Sequence, residues 1–326
     1  MELQPLHYVI RTADRAKTVE FYTKTLGMKI LRHEEFSDPC KAMCNGPFDG
    51  KWSKTMLGYG PEEAHFVIEV VYNYGVTKYD LGSFFGAFTI KSHDVFESAR
   101  DKSRVDSEFI CIRDCNGYLF CIFNTPNDNN KGTGLQCKLD AAICKLFSDP
   151  FCKLALNVRN LKRSVGKLKM NSITCNHMIS WENFKDYYSN FDEAKVVYAS
   201  PTSASIHFNE SDFELELVEL RDQPFLSGSG CGRIAFAVPS DLLLHLQEKF
   251  SSTEGKILNN ITSLETPGKA TVEVLILADP DGHEICLVGR EGFMQLCVMD
   301  PKGAELFNTA IQEERELRLI AESFGG

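Results

Sequence analysis

A carboxylate stands in the middle of an apolar, β-branched run. The stretch is His65-Phe-Val-Ile-Glu69-Val-Val-Tyr-Asn73-Tyr-Gly75, and its composition predicts a buried strand. Alternation along a strand sends Glu69, Val71 and Asn73 to one face and Ile68, Val70 and Tyr72 to the other. Burying an unpartnered charge is costly, so Glu69 needs a metal, a cation or a ligand beside it. Near the start, Leu6-His-Tyr-Val-Ile-Arg-Thr12 predicts a second short strand, on which His7 and Arg11 share a face.

The elements that must hold these residues recur. After the first strand, Arg15–Leu26 carries a helical apolar stripe that Gly27 stops, and strands follow at Met28–Leu31, Ser53–Tyr59 and His65–Tyr74. The order of strand, helix and three strands then repeats. Phe85–Ile90 is a strand, Val95–Asp101 a helix, and Val105–Arg113 and Tyr118–Phe123 are strands joined by the turn Asp114–Gly117. A third unit runs from Lys153 to Glu219, with a short, glycine-containing helix at Ser164–Met170. The fourth has Arg233–Val238, the helix Asp241–Phe250, Thr271–Leu277, the turn Asp279-Pro-Asp-Gly282 and His283–Val288. The organisation expected is a first domain of two units over residues 1–124, a linker at 125–150 with a short helix at Asp140–Phe147, a second domain at 151–290, and a helical tail at 291–326. Units this long predict paired modules of α+β class and not a stacked solenoid.

The totals narrow the function classes. The 326 residues suffice for two domains with real cores. A hydrophobic share of 43%, a charged share of 25%, a net charge of −10 and a pI near 5.4 describe a soluble protein. They argue against binding nucleic acid or an anionic membrane surface, and no run is long enough to span a bilayer. Twelve cysteines include no Cys-x-x-Cys pair, and Cys40/Cys44 and Cys111/Cys115 lack zinc-finger histidines, so free thiols in a reducing compartment are expected. Without a cleavable leader the cytoplasm is the expected location, mitochondrial association staying compatible with it. Gly46-Pro-Phe-Asp-Gly50-Lys51 has the wrong glycine spacing for a phosphate loop.

Arg15–Ile30 (RAKTVEFYTKTLGMKI), Ile68–Gly75 (IEVVYNYG) and Asp279–Val288 (DPDGHEICLV) resemble glyoxalase I, a member of the vicinal oxygen chelate superfamily. The resemblance runs to about residue 290, strong over 15–75 and 231–289 and loose over 153–215. It implies four βαβββ modules paired into two curved, open sheets. It implies further that His7 and Glu69 are ligands to a divalent zinc, nickel or cobalt ion, with Arg11 and Asn73 touching glutathione. The implied reaction is isomerisation of the methylglyoxal–glutathione hemithioacetal to S-lactoylglutathione, a lactoylglutathione lyase activity that detoxifies methylglyoxal. Two strands would then present a metal pair and a carboxylate-gripping pair to one concavity.

The pattern is incomplete. Where the family has its other His and Glu, this chain has Phe85 and Cys121 in the second module and Arg233 and Cys286 in the fourth; the third offers Lys153 and Glu216. The missing final Glu is also the family's proton-moving base, so Glu69 is the remaining catalytic carboxylate. Cys286 thiolate is a soft substitute ligand, and Glu284 shares its face about 6–7 Å along the strand. As ordinary structure, Cys121 and Cys286 would be core cysteines, Glu214, Glu216 and Glu219 a half-exposed face, and Glu69 a partner for Arg11. Two readings follow: an enzyme of reduced activity acting on a small molecule, or a non-catalytic binding or scaffold protein that kept the pocket. Four modules in one chain could close both bowls internally, which suits a monomer.

Overall fold

The computed structural model describes residues 3–100, 108–125, 149–165, 187–188, 191, 194–208, 211–230, 232–252, 256–266 and 268–324. Its first module supplies β1 (Gln4–Thr12), β2 (Lys29–Phe36), β3 (Trp52–Gly58) and β4 (Val67–Asn73). The middle of the chain supplies β5 (Phe85–Lys91), β6 (Phe109–Arg113), β7 (Leu119–Phe123), β8 (Phe151–Val158), β9 (Ala194–Ala199), β10 (Ser203–Phe208) and β11 (Glu214–Glu219). The fourth module supplies β12 (Arg233–Val238), β13 (Lys256–Leu264), β14 (Val272–Ala278) and β15 (Glu284–Gly289). Two sheets result. One runs β13-β14-β15-β12-β1-β4-β3-β2, the other β6-β7-β5-β8-β11-β10-β9.

The first module therefore shares a sheet with the fourth, and the second with the third. Each sheet draws on both halves of the chain, where sequence order had suggested that each half would close its own. The seams are antiparallel: His7 faces Ala235 across β1 and β12, and Thr89 faces Lys153 across β5 and β8. The crossings at 74–84 and 220–230 run side by side, with Ser83 N–H bonded to Leu226 O at 2.8 Å and Gly230 N–H to Asp80 O at 2.6 Å. A Cβ on Gly82 would lie 2.4 Å from Leu226 O, and Gly82 has φ +58°, so only glycine fits there.

One face of each sheet enters a common core in which Tyr8, Ile68 and Val70 meet Phe88, Phe120 and Phe151. Phe88 is the hub, its ring 5.8 Å from that of Tyr8 and 5.1 Å from that of Phe120. The helix expected at Arg15–Leu26 forms as α1 (Arg15–Glu20) continued by a wider π-turn, Phe21–Thr25. Asp14 accepts from Lys17 N–H to cap its start, and Gly27, at φ +70°, ends it. The shorter helices are α2 (His93–Ala99), α3 (Leu161–Val165), α4 (Leu243–Phe250) and α5 (Arg290–Leu296). The helix expected at Asp140–Phe147, most of the linker and the later part of Ser164–Met170 lie outside the described residues. Among those described, no helix is long and apolar enough to cross a membrane.

The tail forms α6 (Gly303–Phe324), which packs on β2. Its anchor is Arg15, 2% exposed, whose guanidinium donates to Glu35 at 2.7 Å, Ser53 at 2.9 Å, and Ala310 O and Glu314 at 3.1 Å. Strand β13 escaped the sequence reading because Lys-Ile-Leu-Asn-Asn-Ile-Thr-Ser-Leu is a half-exposed edge with no continuous apolar signal. The thiols are not all free: a turn at Cys40–Met43, with Met43 at φ 53°, brings Cys40 and Cys44 into a disulfide. Cys111, Cys115, Cys121, Cys152, Cys286 and Cys297 are free.

Burial alone would raise the Glu35 carboxyl, but bonds from His33, Arg15 and Tyr74 outweigh it and bring its pKa from 4.5 down to about 2. A carboxyl depressed in the folded state lends stability that is present above pH 4.5 and lost as the pH falls toward 2. The thermal midpoint should fall across that window. Glu35→Gln should remove that share of the acid sensitivity in a pH series of melting curves.

Candidate active site

The chain folds so that the isolated carboxylate and the early imidazole meet. Strands β1 and β4 are parallel neighbours, Val9 standing opposite Glu69, and His7 lies beside a shift in the β1–β12 register. His7 Nε2 is 3.7 Å from Glu69 Oε2. The other ring nitrogen, Nδ1, lies 2.5 Å from Glu62 Oε1, on the turn after β3. A carboxylate there accepts the Nδ1 proton, fixing the tautomer and leaving the Nε2 lone pair toward Glu69.

Glu62 is itself 2% exposed and is held by Arg32 Nη2 at 2.8 Å; Arg32 Nη1 donates to Leu296 O at 2.7 Å. Burial pushes Glu62 upward, yet the Arg32 charge and then His7 keep its pKa below the ordinary value. A chain of guanidinium, carboxylate and imidazole thus runs from α5 to Glu69.

His7 and Glu69 open onto a cavity of about 80 Å³ whose wall also includes Lys54, Arg233 and Cys286. Cys44, Trp52, Lys54 and Leu264 are shared with a cleft of about 790 Å³. The cations in this wall differ. Arg233 is paired with Glu284 at 2.6 Å and donates to Ala42 O at 2.9 Å. Lys54 sits over the Phe36 ring at 5.6 Å and has no carboxylate within 4 Å among the described residues.

The other expected site residues are placed differently. Arg11 is buried away from the cavity wall, Nη1 bonded to Ser229 O at 2.9 Å and the guanidinium packed on Gly46. Asn73 bonds Asn45 at 3.0 Å and Tyr79 at 2.9 Å. Both hold the 37–51 loop and the chain crossing. The pairing of Glu69 with Arg11 does not occur; His7 takes that place. Cys286 lines the cavity, but burial, only partly opposed by Arg233, pushes its thiol up to about 12. Glu284 keeps its face beside Cys286 but turns to Arg233. Phe85 is in the aromatic core, and Glu216 pairs with Lys153 in the other sheet at 3.1 Å.

These positions test the fit of the divalent metal that the resemblance implies. His7 Nε2 and Glu69 offer two suitable donors. An enzymatic zinc ordinarily has three protein ligands, and among the described residues no three His, Cys, Asp or Glu side chains are grouped to hold an ion. With Glu284 taken by Arg233, whose guanidinium also faces the Cys286 thiol, the donor set does not fit such a centre.

Paired modules with a histidine–carboxylate site in a concave sheet define a vicinal-oxygen-chelate protein, and the chain belongs to the glyoxalase family of that superfamily. Residues 4–130 match the Glyoxalase/Bleomycin resistance protein/Dioxygenase superfamily, and residues 180–296 match the Glyoxalase domain-containing protein 4-like, C-terminal domain. The chain is 38% identical over 312 residues to Glyoxalase domain-containing protein 4 of Mus musculus, covering 95% of this chain and 93% of that one. It is 38% identical over 316 residues to Glyoxalase 1 of Caenorhabditis briggsae, covering 96% and 98%. Glyoxalase I of Zea mays shares the fold, with a TM-score of 0.64 and 22% identity over 91% of this chain and 95% of that one.

Sequence reasoning missed Glu62, Arg32 and Lys54. Lys54 carried one usable signal, its strand alternation with Trp52; Glu62 lies on a turn, where no periodicity marks a side chain as buried. Removing one member of a buried pair leaves the other charge uncompensated, so Glu62→Ala should cost roughly 3–5 kcal/mol. Urea unfolding measures this, with the exposed Glu63→Ala expected to change little.

Proposed function

We propose that the protein is a glyoxalase I-type enzyme that isomerises the hemithioacetal of methylglyoxal and glutathione to S-lactoylglutathione. The observation that carries this is the convergence of His7 Nε2 and Glu69 Oε2 at 3.7 Å in a small cavity beside a cleft large enough for a tripeptide. It is supported by the names of the relatives, Glyoxalase 1 in C. briggsae and Lactoylglutathione lyase GLX1 in Arabidopsis thaliana.

The reaction moves a proton between neighbouring carbons. Glu69, as carboxylate, takes the proton from the carbon bearing sulfur, and negative charge develops on the adjacent carbonyl oxygen. Lys54, whose ammonium has no carboxylate within 4 Å among the described residues, stabilises that oxyanion, and His7, oriented by Glu62, takes the proton of the hydroxyl on the sulfur-bearing carbon and delivers it to the oxyanion, so that the hydroxyl oxygen becomes the thioester carbonyl. Glu69 then returns its proton to the second carbon. The tripeptide lies in the cleft of Trp52, Lys54, Leu264 and Lys269. Since the donor set does not fit a metal centre, these side chains carry each step.

Glu69→Gln should lower kcat about 10²–10⁴-fold while a thermal shift with S-substituted glutathione persists. Lys54→Met should lower kcat/KM while the circular dichroism of the free protein stays that of the parent. Turnover is assayed with chelated protein and again with zinc, nickel or cobalt added. No turnover under any of these conditions would overturn the enzyme reading. The second reading, a binding protein, is favoured by Arg233, which stands at a position where the resemblance implies a metal ligand and occupies the substitute carboxylate Glu284; it requires the thermal shift without the turnover.

A further inference from the structure

The second sheet carries chemistry that the proposed reaction does not use. Cys111 on β6 and Cys121 on β7 stand directly opposite one another, their sulfurs 2.9 Å apart. Opposed residues of an antiparallel pair have Cα atoms about 4.5–5.5 Å apart, inside the roughly 4.4–6.8 Å that a disulfide spans. The two can therefore be joined without moving either strand. Cys111 is exposed and Cys121 half-buried, so an incoming molecule meets the first sulfur before the second.

Two basic side chains stand near the pair, one of them, Lys153, held by Glu216 at 3.1 Å and Glu214 at 3.3 Å. The row across the sheet continues from Cys121 to Thr89 and Lys153, and Arg113 lies two residues beyond Cys111 on the same face. Burial, followed by the bond to Cys111, raises the Cys121 thiol to about 12, against the pull of Lys153 and Arg113. Cys111 is thus the sulfur placed to attack, and Cys121 the one placed to resolve.

We propose that Cys111 and Cys121 form a reversible thiol–disulfide exchange site for low-molecular-weight disulfides. The Cys111 thiolate attacks one sulfur of the small disulfide, whose S–S bond breaks to release a thiolate. Cys121 gives its proton to that thiolate, attacks Cys111 Sγ and expels the second half as a thiolate, which takes up from solvent the proton that Cys111 released on ionising. The protein dithiol loses two electrons and two protons, and one disulfide is reduced to two thiols.

The test uses the full chain equilibrated with oxidised and reduced glutathione at graded ratios, quenched in acid, alkylated and digested with trypsin. Cleavage after Arg113 separates the two cysteines, so the bridge appears as a linked peptide pair, and fragmentation distinguishes Cys121 from Cys115. The linked Cys111–Cys121 pair should accumulate with the oxidised fraction and vanish on reduction. Cys121→Ser should trap one glutathionyl group on Cys111; Cys111→Ser should leave Cys121 alkylatable throughout. Equal alkylation of both cysteines at every ratio, a bridge to Cys115, or a persistent adduct on Cys121 in Cys111→Ser would overturn the proposal.

Discussion

The buried ionic chain from Arg32 through Glu62 to His7 is the interaction on which the rest of the site depends. It places a full positive and a full negative charge where both are 2% exposed, which is favourable only while each holds the other and Leu296 O accepts a further guanidinium bond. Its members come from β1, β2, the turn after β3 and the end of α5, so the chain fixes four parts of the fold at once. Its last member, the imidazole, has its tautomer set by the link before it. The orientation of His7 toward Glu69 is therefore a property of the fold, established before any ligand arrives.

The 37–51 loop is the second constraint on the cavity. The Cys40–Cys44 bridge shortens it, Ala42 O accepts from Arg233, Asn45 pairs with Asn73, and Gly46 packs against the Arg11 guanidinium. Arg11 and Asn73 are thereby engaged in building the wall. Lys54 is left in the wall shared by cavity and cleft, with no carboxylate within 4 Å among the described residues.

Much of this was legible in the residues. A carboxylate inside an apolar strand marks itself, and strand alternation placed Glu69 and His7 on faces that could meet. What alternation cannot say is which neighbour a strand chooses. β1, β5, β8 and β12 are similar apolar openings of similar modules, and periodicity shows which face is buried without showing that β1 pairs with β12. For the same reason Asn73 has the expected face and a different partner. Glu62 was out of reach because its burial depends on Arg32, thirty residues away, and Cys40 with Cys44 because a left-handed Met43 is not signalled by residue type.

The antiparallel seam between β1 and β12 has a bearing on how the molecule comes into being. During synthesis the first module emerges with one margin of β1 lacking its neighbour, and that neighbour is more than two hundred residues behind. Such a margin is adhesive toward other extended chains until it is covered. The middle modules can meet sooner, since β5 and β8 are close in sequence. The order of assembly is then inside outward, and the bowl holding His7 and Glu69, whose wall needs Cys286 as well, is the last part of the protein to exist.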